Sequence, residues 1–317
     1  MIEVLYQASG MRIPVVLCLV NRALAAPLNV NGDHSDLYLT RDSGWISIDA
    51  FNPQQAYDMT LMAFKISEHP DVRLPVISNQ DGFMTSHTAQ NVIPLEDKVA
   101  CDFVGPYLQV NALLNFDKPV THGVQTEQDW HFEHKAKQHA ALMGSKKVIL
   151  ETFAQFKELT GREYKLVESY NLENADIAIV CLGTTFETAM IAINQLKAEG
   201  INAAVVAPRV FRPFPLEEVA EALQNVKAIA CMDRSAPGGT VGALYNEVSG
   251  ALFNTPARPI MTNLIYGLGG RDMTVAILKD IFRNLDKEAK AGKLSGKIQR
   301  FIGVRGPELS FYETQGI

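Results

Sequence analysis

The sequence predicts an α/β protein made of two doubly wound parallel-sheet domains. Three observations carry that reading. Short apolar runs at 13–20, 74–78, 176–182, 203–207, 228–232 and 260–265 have the near-continuous hydrophobicity of strands covered on both faces. Helical periodicities lie between them, so strand and helix alternate at the spacing of parallel crossovers. The chain has 317 residues, enough for two cores rather than one.

The elements follow in order. Residues 3–9 read as a helix, although neither Met1 nor Ile2 can cap it. The run 13–20, rich in Val and Leu, is the first strand. Asn52-Pro53 opens a helix, a cap residue followed by proline at the first helical position, and Ala56, Met59, Ala63 and Ile66 recur at helical spacing to Glu68. The strand 74–78 stops at the turn-rich Asn79-Gln80-Asp81-Gly82. From 89 to 126 the period is lost and Pro94, Pro106 and Pro119 gather, as in a segment crossing between domains. A long helix is predicted over 130–157. The second unit then reads strand 176–182, helix 184–200, strand 203–207, helix 217–224, strand 228–232, helix 238–253, strand 260–265 and helix 274–286. The expected domains are 1–105, a crossing segment with a helix over 106–172, a second domain over 173–290, and a surface tail over 291–317.

Composition narrows the chemistry. Hydrophobic residues make up 47% and the formal net charge is −6, so there is no basic field for nucleic acid. Cys18, Cys101, Cys181 and Cys231 are scattered without a CxxC pair, and three lie in apolar runs where they read as buried hydrophobes. No metal or iron–sulfur centre is expected on this chain alone. Arg12, the run 13–20 and Ala23-Leu24-Ala25-Ala26 imitate a signal peptide. Asn21 and Arg22 interrupt the imitation, and the run is far short of the ~18 residues a bilayer requires, so a cytoplasmic protein is expected. His131 and His134 share a helical spacing that suits a metal, but no carboxylate or thiol completes the set and a solvated face is the better reading.

In open α/β sheets the ligand crevice lies beyond the carboxyl ends of the strands. That rule gathers Arg22, Asn79, Asp81, Gly183, Thr184, Thr185, Asp233 and Arg234. Arg22 suits a planar anion through its bidentate fork, with an ion pair to Asp33 or Asp36 as the alternative. Thr184-Thr185 can grip a phosphate at a helix N-terminus or simply cap that helix. "GLGG" and "GGTVG" lack the context of a dinucleotide fingerprint, and no Walker motif, HExxH or nucleophile elbow occurs.

The stretch "GMRIPVVLCLVNRALAAPLNVNGDHSDLYLTRDSGWI" resembles the α subunit of pyruvate:ferredoxin oxidoreductases. The resemblance continues through "AYDMTLMAFKISE", "LPVISNQDGF", "RVFRPFP", "DRS" and "GLGGRD" and so spans nearly the whole chain. It implies that the first domain is the remainder of a thiamine-pyrimidine-type domain and the second a transketolase C-terminal-like domain. It implies oxidative decarboxylation of a 2-oxoacid with thiamine diphosphate, Mg2+ and coenzyme A, with electrons leaving through [4Fe-4S] clusters on partner chains. The β, γ and δ-type subunits and ferredoxin or flavodoxin are the implied partners, with no membrane.

By the same resemblance Arg22 matches the substrate-carboxylate position and Val30 the apolar position beside cofactor and substrate. Asn29 and Asp33 fall in the same pocket. "GDHSD" and "RDSGW" receive no role beyond shaping the cleft and subunit contacts. Family members continue before this point and carry there a Thr that contacts substrate and the Glu that drives the cofactor's aminopyrimidine tautomerism. No residue here matches either, so the expectation is an N-terminally shortened chain that is incompetent alone. Pyruvate is the expected substrate, since branched-chain and 2-oxoglutarate members are less similar around Arg22. Oxalate is the alternative, for which Arg41 is the nearby second cation. A non-catalytic assembly subunit is the reading from another class.

Overall fold

The computed structural model of the chain describes residues 2–305 and 313–315. Its first half supplies three strands of a four-stranded sheet. Helix α1 (Ile2–Gly10) leads into β1 (Val16–Asn21), and a polar loop then holds the short α2 (Ser35–Thr40) before β2 (Ile46–Ala50). Helix α3 (Pro53–Glu68) starts where its signals place it, with the Asn52 side chain accepting from the Gln55 N–H at 2.9 Å. Strand β3 (Val76–Asp81), α4 (Asp97–Val104) and the long α5 (Gln128–Thr160) complete this half.

The second half contains β4 (Val167–Tyr170), β5 (Ile177–Val180), α6 (Thr185–Leu196), β6 (Ala203–Pro208), β7 (Val210–Arg212) and α7 (Leu216–Leu223). It continues through β8 (Ala228–Asp233), α8 (Ala243–Phe253), β9 (Ile260–Ile265), α9 (Val275–Ala291), β10 (Gln299–Ile302) and β11 (Glu313–Gln315). The strand orders are β1-β3-β2-β7 and β11-β10-β9-β8-β5-β6-β4. All pairings are parallel except β7 against β2 and β4 against β6.

The second sheet shows why its strands are apolar throughout. Ile177, Ile179 and Cys181 pack with Ile193 of α6 and with Leu278 and Phe282 of α9. Ala178, Val180 and Leu182 face the other way, toward Val219 of α7 and Leu244 and Val248 of α8. Both faces are covered, so both registers must be apolar. Around the first sheet, Ile46, Ile48 and Val76 pack with Met59, Met62 and Ile66 of α3 and with Ile149, Phe153 and Phe156 of α5.

Several expectations need correction. Strand β1 is an edge strand with one open face, not a doubly covered one: Val15 and Val20 are each 41% exposed, and Cys18 is exposed rather than buried. A continuous apolar run does not distinguish the two cases. Strand β2 escaped notice because Ser47 and Asp49 interrupt its apolar pattern, yet both are buried. Strands β4 and β10 belong to the second sheet, and β7 pairs with β2 in the first. His131, His134 and His139 lie exposed on α5. No described helix is long and apolar enough to cross a membrane.

Candidate active site

The carboxyl ends of the two sheets face each other, and a buried polar network joins them. Its centre is Asp81, the last residue of β3, which is 1% exposed. One carboxylate oxygen accepts from His34 Nε2 at 2.7 Å. The other accepts from the Thr184 N–H at 2.9 Å, the Thr184 hydroxyl at 2.7 Å and Arg234 Nη1 at 3.2 Å. Burial alone would raise the Asp81 pKa, but the His34 contact, the Arg234 charge and the Thr184 hydroxyl hold it well below the usual carboxylate range. Because a carboxylate only accepts, the geometry puts the His34 ring proton on Nε2.

Asp49 of β2 lies beside this centre. Its oxygens accept from the Gly183 N–H at 2.7 Å and from the Asn79 side chain. Burial and then the neighbouring Asp81 charge push its pKa up to about 6, against the opposing effects of His34, Gly183 and Asn79. Gly183, at φ +64°, is required here, since a Cβ would sit 2.5 Å from the Asp81 oxygens. Asp233 of β8 plays a parallel part below α8, accepting from the Leu244 N–H at 2.8 Å and from Asn263 Nδ2 at 2.8 Å.

The strand-end residues gathered from the sequence are therefore largely consumed by one another. Thr184 neither caps α6 with its side chain nor points to solvent; its hydroxyl ties the second sheet to the first. His34 and Asp49 belong to the same network, and sequence reasoning gave neither a role.

Arg22 is different. It is the first residue after β1 and is exposed. Its backbone N–H donates to Asp36 Oδ2 at 3.2 Å, while its guanidinium makes no hydrogen bond or ion pair among the described residues. The side-chain ion pair to Asp33 or Asp36 is not formed. The Ala23 N–H donates to the Asn31 carbonyl at 3.1 Å, pinching the loop so that Arg22 and Val30 flank its neck. Val30 is 53% exposed.

Asn29 Nδ2 donates to the Gly269 carbonyl at 3.2 Å and the Gly270 N–H to the Gly32 carbonyl at 2.8 Å, so the "GLGG" turn of the second sheet clamps this loop. A Cβ on Gly269 would approach Asn29 Nδ2 to 2.4 Å, which explains the glycine. The buried Asp33 accepts from the Ser35 N–H at 2.7 Å and from the Ser35 hydroxyl, starting α2.

Two family models cover most of the chain. Residues 1–154 match "Pyruvate flavodoxin/ferredoxin oxidoreductase, thiamine diP-bdg", and residues 175–278 match "Pyruvate:ferredoxin oxidoreductase core domain II". A pyruvate synthase subunit PorA from Thermotoga maritima is 39% identical over 303 residues, covering 96% of this chain and 76% of that protein. The chain belongs to the pyruvate flavodoxin/ferredoxin oxidoreductase family.

Within this oxidoreductase family, a ketoisovalerate oxidoreductase subunit VorA from Pyrococcus horikoshii is 37% identical, covering 94% of this chain and 75% of the relative. Among solved structures, 2-oxoglutarate:ferredoxin oxidoreductase from Magnetococcus marinus matches with TM-score 0.60 at 18% identity. That match covers 89% of this chain and half of the other, and it establishes the shared fold. The oxidoreductase motifs read from the sequence take defined places in this architecture: "NRALAAP" forms the loop after β1, "LPVISNQDGF" contains β3, and "RVFRPFP" supplies β7.

Proposed function

We propose that this chain is the α-type subunit of a 2-oxoacid:ferredoxin oxidoreductase whose complex converts pyruvate and coenzyme A to acetyl-CoA and CO2, passing two electrons to ferredoxin or flavodoxin. One observation carries the assignment of the substrate site. The loop after β1 presents an exposed guanidinium that forms no hydrogen bond or ion pair among the described residues, next to an exposed valine, in a domain that matches a thiamine-diphosphate-binding family model. A 2-oxoacid has a planar carboxylate that the Arg22 fork can hold in two parallel hydrogen bonds. Val30 and Leu28 offer the apolar surface for its alkyl end, Asn29 fixes the loop to the second sheet, and Asp33 positions α2.

Thiamine diphosphate, when bound, supplies the electron sink that decarboxylation requires. The described residues fit one side of that group. They offer it the apolar wall of the loop, while Asp49 and Asp81 are buried and hydrogen-bonded on both oxygens within the chain, so neither is placed to serve an aminopyrimidine. We assign the diphosphate-Mg2+ site and the [4Fe-4S] clusters to other polypeptides of the complex, the β, γ and δ-type subunits. On this reading the first sheet is the pyrimidine-type domain and the second the transketolase C-terminal-like domain.

Oxalate fits less well, because Arg41, the second cation it would want, is paired with Asp42 at 3.3 Å. A branched 2-oxoacid is the second reading, favoured by the 37% identity to the VorA subunit. The test is viologen reduction by the native complex with pyruvate, 3-methyl-2-oxobutanoate and oxalate, each with and without coenzyme A. Coenzyme-A-dependent turnover of pyruvate establishes the proposal, whereas preference for the branched acid moves the substrate. No turnover by a cluster-loaded complex makes the chain an assembly subunit.

A further inference from the structure

Arg12 and Arg73 meet at the amino-terminal ends of β1 and β3, the edge of the first sheet opposite the Arg22 loop. Both adopt left-handed backbone, at φ 59° and 46°, uncommon for residues other than glycine. Arg12 donates through Nε to the Arg73 carbonyl at 3.1 Å and through Nη2 to the Val72 carbonyl. Arg73 is 9% exposed and donates to the Leu108 carbonyl and the Tyr107 hydroxyl, both at 3.2 Å, with its guanidinium over the Tyr107 ring. Every one of these acceptors is neutral.

The two guanidiniums border a cavity of about 340 Å³ that His122, Gln109 and Asn111 also line, and no aspartate or glutamate does. His122 Nε2 donates to the Asn111 carbonyl at 3.1 Å. Two like charges held together in partial burial without a counter-charge repel each other. Consistent with this, burial and then the Arg73 charge push the Arg12 pKa below its ordinary value. An oxyanion between them would remove that repulsion and take up the guanidinium N–H groups that the carbonyls leave free.

We propose that this cavity binds a small phosphate monoester, whose two negative charges match the two guanidiniums and whose organic part fills the remaining space. The site lies one strand length, roughly 20 Å along β1, from the Arg22 loop and does not depend on the substrate reading. It is separate from the strand-end network around Asp81.

The experiment is calorimetric titration of the full chain at fixed ionic strength with glycerol 3-phosphate, inorganic phosphate and acetate. One-site binding of glycerol 3-phosphate, weakened at least tenfold in Arg12→Gln, is expected. No saturable binding, equal affinity for acetate, or unchanged affinity in Arg12→Gln overturns the site. Should Arg12→Gln fail to fold, phenylglyoxal labelling of the wild-type chain decides. Glycerol 3-phosphate must protect Arg12 from modification and leave Arg22 reactive, and an unprotected Arg12 refutes the proposal.

Discussion

Replacing Asp49 by Asn isolates the electrostatics of the network between the sheets. Asp49 is 1% exposed and its pKa is raised to about 6, chiefly by burial and then by the Asp81 charge. A carboxyl with a raised folded pKa stabilises the fold fully below its unfolded value near 3.9, and that contribution is lost as pH climbs through about 6. The gap, at about 1.4 kcal/mol per pH unit, amounts to about 3 kcal/mol lost between pH 4 and pH 6.5. Asn carries no charge and one acceptor, which can still take the Gly183 N–H; it loses the bond from the Asn79 side chain at every pH, an offset that leaves the pH dependence unchanged.

Urea unfolding of wild type and Asp49→Asn at pH 4.5, 5.5, 6.5 and 7.5 gives the comparison. Wild-type stability should fall relative to the variant across the middle of that range, and the two curves should run parallel above it. Parallel curves throughout would refute the reasoning, because the slope would then come from other groups such as Asp36 and Asp233, which burial also raises.

Four further outcomes follow from the same geometry. Asp81→Asn leaves the buried Arg234 without its counter-charge and should cost about 3–5 kcal/mol in urea unfolding, with a loss under 1 kcal/mol counting against the network. Gly183→Ala places a Cβ 2.5 Å from the Asp81 carboxylate at φ +64°, and should cost about 2–3 kcal/mol by the same measurement. Phe156→Ala removes a fully buried ring between α5 and the first sheet, and a loss of about 3–5 kcal/mol with earlier hydrogen exchange in α5 is expected. Arg22→Ala in the assembled complex should lower kcat/KM for pyruvate by about 100-fold with cofactor affinity intact, as for loss of a charge-assisted contact, and unchanged kcat/KM would remove Arg22 from the site.

The legible parts of this protein were those governed by local rules. Asn52-Pro53 announced α3 because capping is decided within one turn, and β6 and β8 announced themselves because strands covered on both faces run almost continuously apolar. Arg22 could be found because parallel strands deliver their following residues to one edge. The Ile46–Ala50 strand could not, since Ser47 and Asp49 look solvated until their partners at Asn79 and Gly183 are known.

Sequence alone thus determined the fold class, the family and the placement of an arginine at a strand end, all of which follow from periodicity and motif order. Only the tertiary structure decided which charges are spent and which are free. Asp81, His34, Thr184 and Arg234 are separated by up to 200 positions and meet only when the two sheets abut; the Arg22 guanidinium forms no ion pair among the described residues, and Arg12 finds itself beside Arg73. A charge's role depends on distance and burial, and neither quantity exists before the chain has folded.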